Sequence, residues 1–197
     1  MANLVRNTKR LIIRPMEISD YEVWKEYFST MDESRNIWDN HNRPSERLTK
    51  TTFLKILKSQ KRMREGDKFY DLIVFKKASR QIIGSVAAMD VLRSVSQTAY
   101  LGYTIHNKFW GQGYGKEATK AMIDIAFRDL KLHRVEAGIE PKNRRSILLA
   151  RSLGLRKEGL KKKVVYLRGQ WNDLLIYSTT CEELGIKWKG EAKRRPG

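Results

Sequence analysis

The sequence predicts an α/β protein built on one mixed sheet. Three observations carry that prediction. Short turns join the strand-like runs between residues 69 and 105, which makes that part of the sheet antiparallel. A long amphipathic helix separates the run at 98–105 from the run at 134–139, and a crossover of that kind makes those two strands parallel. An Arg168-Gly169-Gln170 turn between two β-rich runs closes the chain with a hairpin.

Leu11 to Arg14, closed by Pro15, is a first strand. Ser19 and Asp20 offer caps for a helix with Tyr21, Trp24 and Phe28 on one face. Residues 36–45, rich in Asn, Asp, His and Pro44, are a loop. A second helix runs to about Glu65 with Phe53, Ile56 and Leu57 inward, and Gly66-Asp67 breaks it. Strands follow over 69–75, 81–91 and 98–105. In the helix from Gly113 to about Asp129, Ala118, Ala121, Met122 and Ile125 recur at helical spacing. After the strand at 134–139, Asn143 caps a short helix to Ser152, which Gly154 ends. Strands at 160–167 and 171–179 form the hairpin, and the final residues read as a frayed basic tail.

At 197 residues the chain makes one domain, set here at 8–182 with a basic tail at 183–197, and it can bury a core without disulfides or metal. With Cys181 as its single cysteine, an internal disulfide is impossible. The first fifteen residues lack an apolar leader, and no stretch is apolar enough to span a membrane, so the expected location is the cytoplasm. The net charge of +18 points to anionic partners: nucleic acid, a ribonucleoprotein, a phosphorylated cofactor or an acidic membrane. Basic residues concentrate at 47–68, where eight Lys or Arg face only Glu65 and Asp67, and at 156–168. A solubility role for this charge is equally open.

The most informative segment is Trp110-Gly111-Gln112-Gly113-Tyr114-Gly115-Lys116-Glu117, set between a strand and a helix. Glycines there let the backbone approach a ligand, and the helix start offers free amides and partial positive charge to a phosphate. A Walker loop fails, because Glu117 follows Gly115-Lys116 and Trp110 stands where its first glycine belongs. The dinucleotide fingerprint also fits badly.

Taken with Tyr100-Leu101-Gly102, His133-Arg134, Asn143 with Ser146, and Ser152-Leu153-Gly154-Leu155, the loop resembles that of the GCN5-related N-acetyltransferase (GNAT) family. Lys157 to Gly159, Gly169-Gln170-Trp171 with Asp173, and the opening Thr8 to Arg14 are similar to the RimJ/RimL branch, and the likeness runs from about 8 to 180. Trp110 and Leu155 depart from the usual Gln or Arg and Phe. The resemblance implies a sheet whose parallel strands splay, flanked by helices. It implies acetyl-CoA as co-substrate, no metal, and an acceptor amine. Its cofactor residues here would be Tyr103, Thr104, Ile105, Gln112, Gly113, Tyr114, Gly115, Lys116 and Asn143.

The implied chemistry needs a neutral amine, a thioester held against it, an oxyanion donor and a proton for the departing thiolate. Many family members carry a Tyr acid where this chain has Ala150; the RimL-type alternative is a Ser, which is Ser146 here. The catalytic candidates are therefore Ser146 and Asn143, although both also suit a plain helix start. The RimL-type Glu maps to Val165, and Glu136, Glu140 and Asp173 read as structural or surface acids, so no general base is assigned. His41, His106, His133 and Cys181 lack metal-ligand spacing.

The expected function is acetyl transfer to an α-amine, the N-terminus of a protein such as a ribosomal protein, by a monomer or homodimer. The alternatives are a small-amine (polyamine or aminoglycoside) acetyltransferase, and a ribosome- or RNA-binding protein with weak catalysis. Loop 36–45 and the hairpin at 168–171 are expected to rim the amine-side entrance.

Overall fold

The structure is a computed structural model, and it describes residues 2–39 and 45–190. An eight-stranded sheet runs in the order β1-β2-β3-β4-β5-β6-β8-β7. The strands are β1 (Arg6–Asn7), β2 (Leu11–Arg14), β3 (Tyr70–Lys76), β4 (Ile82–Leu92), β5 (Thr98–Ile105), β6 (Arg134–Ile139), β7 (Arg156–Leu167) and β8 (Gln170–Thr180). The helices are α1 (Tyr21–Ser29), α2 (Lys50–Glu65), α3 (Tyr114–Arg128) and α4 (Arg144–Ser152). Every strand pair is antiparallel except β5 with β6, as the α3 crossover demands.

Both faces of the sheet are covered at β3 and β4, so these strands lack polar alternation. In β3, Leu72 and Val74 enter the cluster shared with Met122 and Ile125 of α3. Ile73 and Phe75 enter the opposite cluster with Trp24 and Tyr27 of α1 and Phe53 of α2. Each helix thus takes one side: α1 and α2 one face, α3 and α4 the other.

The local signals act as sequence physics requires. The Thr49 side chain accepts the amide of Thr52 to start α2, and Asn143 accepts the amide of Ser146 at 3.2 Å to start α4. Gly66 ends α2 and Asp67 turns the chain with a φ of 52°. A side-chain cap by Asp20 is not what the structure shows. Its carboxylate pairs instead with Arg14 at 2.7 Å and accepts the amide of Glu17, which ties β2 to the turn before α1. A charged guanidinium on the neighbouring strand outcompetes the helix amides for it.

Gly84 is where β4 presses against β5. A Cβ there would lie 2.0 Å from the carbonyl oxygen of Thr104. The expected tail begins differently from a frayed end: Ile186 and Trp188 pack on the core, and Trp188 donates its indole N–H to the carbonyl of Lys131 at 2.9 Å. Two apolar side chains within a basic stretch supply enough buried area to dock it. The rest of that tail, 191–197, and residues 40–44 of the loop, with His41 and Pro44, lie outside the described residues. Among the described residues, no helix is long and apolar enough to cross a membrane.

Candidate active site

The parallel pair holds together only at its start. Thr98, Ala99 and Tyr100 register with Arg134, Val135 and Glu136, and among the described residues the pairing ends there. The remainders of β5 and β6 diverge. The glycine loop follows β5, α4 follows β6, and between them lies a cleft of about 560 Å³.

Of the residues expected at a cofactor, Tyr103, Thr104, Ile105, Gly113, Tyr114, Gly115, Lys116 and Asn143 line this cleft, and Ser146 lines it with them. Gln112 does not. It faces outward, its carbonyl accepting from Arg10 at 2.8 Å and its side-chain amide donating to the carbonyl of Lys108.

Gly113 is the N-cap of α3 at a φ of 79°, and Gly111 has a φ of 77°. No side chain caps α3. Its first-turn amides therefore stay available to an anion, in the loop that carries Lys116. Gly115 sits against Leu149 and Ile105, so this part of the wall is thin and apolar. The guanidinium of Arg145 stacks over the Trp110 ring at 4.0 Å, bringing a second cation to the rim. Positive charge, bare amides and a channel between splayed strands fit a pyrophosphate joined to an amide-bearing arm.

Glu117 fixes the loop to the rest of the molecule. Its carboxylate accepts the Thr8 hydroxyl at 2.6 Å, the Arg10 amide at 2.8 Å and the Arg10 guanidinium at 2.7 Å. Burial alone would raise its pKa; these hydrogen bonds and the Arg10 charge outweigh it and hold the carboxyl below its usual range. Arg10 also stacks over Tyr114 at 4.2 Å. The sequence named neither as a partner of the loop, because they lie over a hundred residues from it along the chain.

Ser146 lies in the first turn of α4, its carbonyl accepting the Tyr103 hydroxyl at 3.3 Å. Burial raises the pKa of that phenol, against the pull of the Ser146 contact. Ala150, where other family members carry Tyr, is buried and offers no proton.

Residues 32–39 fold over the ends of β5 and β6. The Asp32 amide donates to His106 Nε2 at 3.0 Å, and Asn107 donates to Asp39 at 2.8 Å and to the carbonyl of Glu33. Burial lowers the pKa of His106, leaving its Nε2 free to accept. Trp38 enters the cleft lining and donates its indole N–H to Glu140 at 2.8 Å, and Arg168 of the hairpin pairs with the same carboxylate. Glu140 is thus no loose surface acid; it joins loop and hairpin at one mouth. Its role was hidden because neither partner is near it in sequence. Glu136 pairs with Arg134, and Asp173 accepts the amide of Lys163, both as structural acids.

His133, Cys181 and Glu182 bring one potential ligand atom each to within 4.8 Å of one another, a grouping that sequence spacing did not show. Burial and Glu182 push the Cys181 thiol up to about 11, so it is held as a protonated thiol.

The comparisons agree with this geometry. The family model for the acetyltransferase (GNAT) domain matches residues 10–156. A probable N-acetyltransferase, YjcK of Bacillus subtilis (strain 168), is 31% identical over 167 residues, covering 84% of this chain and 91% of that protein. The [ribosomal protein uS5]-alanine N-acetyltransferase of Escherichia coli (strain K12) is 34% identical over 120 residues, 61% of each chain. Among solved structures, the ribosomal-protein-S5-alanine acetyltransferase from Vibrio fischeri superposes with a TM-score of 0.76 at 22% identity, over 95% of this chain and all of that one. Mycobacterium smegmatis RimJ, solved with CoA-disulfide, gives 0.76 at 21% identity, over 91% of this chain and 88% of that one.

Proposed function

We propose, for a chain that belongs to the GNAT acetyltransferase family and is an acetyl-CoA-dependent N-acetyltransferase, that its acceptor is an α-amine at the N-terminus of a protein, and of a ribosomal protein in particular. The observation that carries the catalytic half is the cleft between the diverging ends of β5 and β6, with the uncapped start of α3 on one wall and α4 on the other.

Acetyl-CoA supplies the activated acetyl carbonyl. The chain's residues do the rest. Main-chain amides of residues 113–116, with Lys116 and Arg145, hold the pyrophosphate. The backbone of Tyr103, Thr104 and Ile105, together with Asn143, orients the amide-bearing arm and offers an N–H to the developing oxyanion. The Ser146 hydroxyl gives the departing thiolate its proton.

The α-amine is supported by the chemistry at the mouth. With a pKa near ~7.7–8.0, roughly a tenth of an α-amine is already neutral at pH 7, against less than a thousandth of a lysine. A polyamine needs several carboxylates to hold its cations, whereas Glu140 at this mouth is already engaged by Trp38 and Arg168. The ribosomal part rests on the relative from E. coli and on β7, an edge strand whose Arg156, Lys157, Lys161, Lys162 and Lys163 are all exposed. Such a strand suits a phosphate-rich surface.

Release of CoA thiol at pH 7.5 tests the acceptor. Peptides with a free N-terminal Ala or Ser are acetylated, and spermidine at the same concentration is not; the reverse result transfers the function to small amines. Gly115→Glu, which sends a carboxylate into the cleft, abolishes acetyl-CoA binding by calorimetry without unfolding the protein.

A further inference from the structure

A second cavity, of about 300 Å³, opens on the α1/α2 face of the sheet. It shares one residue, Thr104, with the cleft on the α3/α4 side. The two cavities therefore meet β5 from opposite faces at Thr104, beyond the last pairing of that strand with β6 at Tyr100. An amine placed at Thr104 would face a donor bound in the first cavity and the polar floor of the second at once.

The floor of this cavity is polar. Asp71 of β3 accepts the side-chain N–H of Gln60 at 2.7 Å. The other amide atom, Gln60 Oε1, is buried without a hydrogen-bond partner, and so is one guanidinium nitrogen of Arg64. Such orphaned groups cost stability and persist where something else uses them. Burial, the largest influence, raises the Asp71 pKa, while Gln60, Arg64 and Ser85 pull the other way. These are the polar groups facing it from α2 and β4; α1 contributes the rings of Trp24, Tyr27 and Phe28.

The register gives this floor a direction. Ser85 of β4 stands directly opposite Thr104 of β5, and Ile73, two residues beyond Asp71, stands opposite Ser85. Asp71, Ser85 and Thr104 lie on one face of three adjacent strands, so a carboxylate and two hydroxyls step across the sheet toward the splay.

Building on the acyl transfer above, we propose that an acceptor entering by the Trp38–Glu140 mouth brings its amine to the Thr104 edge of this cavity, and that Asp71, acting through the Ser85 hydroxyl, takes the proton that makes that amine nucleophilic. The ammonium N–H bond breaks and its proton passes to the Ser85 oxygen as the Ser85 proton passes to Asp71. The freed lone pair then attacks the thioester carbonyl. The second amine proton restores the Ser146 hydroxyl as Ser146 gives its own to the departing thiolate, and Asp71 returns its proton to solvent. A carboxylate of ordinary pKa lies about four units below an α-ammonium, so a site that raises it shortens the uphill step. Asp71 is a positioning residue in this scheme, since Ser85 stands between it and the amine.

The test is the pH profile of Asp71→Asn with whichever amine the acceptor panel shows to be turned over. At pH 6.5 the variant's kcat/KM for the acceptor falls by about 100-fold, and the defect shrinks below about threefold by pH 9.5, where bulk base has neutralised the amine. Ser85→Ala follows the same trend at about tenfold. Acetyl-CoA affinity stays within about twofold, and the melting temperature of Asp71→Asn does not fall, because a buried charge has been removed. A defect of equal size at every pH, or no defect, overturns the proposal. If peptides fail and another amine works, the α-amine reading falls while this test still runs; if no amine is acetylated, both fall.

Discussion

Gly113 and Gly115 stand two residues apart in the same loop, and the structure gives them opposite reasons to be glycine. Gly113 has a φ of 79°, and a Cβ there meets only Arg10 Nη2 at 3.4 Å. Its constraint is the backbone. A side chain in the left-handed region costs roughly 1–2 kcal/mol. A chain of this size loses about 2–4 °C of melting temperature per kcal/mol, so Gly113→Ala melts about 2–8 °C below the wild type. Gly115 has an ordinary helical backbone, and a methyl there sits 3.6 Å from Leu149 and 3.7 Å from Ile105, in normal contact. Alanine gains up to about 1 kcal/mol over glycine in a helix, so Gly115→Ala melts level with the wild type or up to about 4 °C above it. Both variants lose affinity for acetyl-CoA, the first by turning the amides away and the second by narrowing the wall. Thermal unfolding without ligand, paired with calorimetric titration, separates the effects. The reasoning is refuted if Gly113→Ala melts at or above the wild type, or if Gly115→Ala is the less stable of the two.

Three further outcomes are expected. Ser146→Ala lowers kcat by about 100-fold and leaves acetyl-CoA affinity unchanged; normal turnover in stopped-flow assays would leave Ser146 as a helix residue only. Gly84→Ala is severely destabilising or fails to fold, because its Cβ would overlap the Thr104 carbonyl at 2.0 Å; a soluble variant with an unchanged circular-dichroism melt contradicts the packing described. Glu158, hydrogen-bonded and paired with Arg134, has its carboxyl pulled down to about 2. The folded value lies below the unfolded one, so its contribution is complete above about pH 5 and disappears as pH falls toward 2. The melting-temperature gap between wild type and Glu158→Gln closes over that window, and a gap constant from pH 7 to pH 2.5 contradicts the pairing.

Where the sequence was readable, a residue's neighbours along the chain were also its physical partners. β5 and β6 begin and end where their β-rich runs do, and Asn143 caps α4 through an amide three residues on. The loop glycines announced the anion site for the same reason. What sequence concealed were long-range pairs. Trp38 reaches Glu140 across 102 positions, and Thr8 and Arg10 reach Glu117 across more than a hundred. Asp71 looked like one polar residue in an apolar run. Only the registers of β3 with β4 and β4 with β5 put it on one face with Ser85 and Thr104. β1 escaped notice because its two residues, Arg6 and Asn7, carry no β-branched signal at all.

The early end of the β5–β6 ladder also bears on how the molecule breathes. Three register pairs join these strands, against six between β6 and β8, and this is the sheet's sole parallel seam among the described residues. The sheet is therefore two slabs, β1–β5 and β6–β8, hinged at a lightly stitched line in its interior. Local opening concentrates at such lines, and a ligand wedged into the gap contributes rungs that the polypeptide omits. Within residues 101–105 and 137–139, deuterium should enter early, when the cleft is empty, at the amides that face the gap and not at those bonded to β4 or β8. The same amides should slow together when an amide-bearing arm fills it, so that loading the donor also welds the sheet.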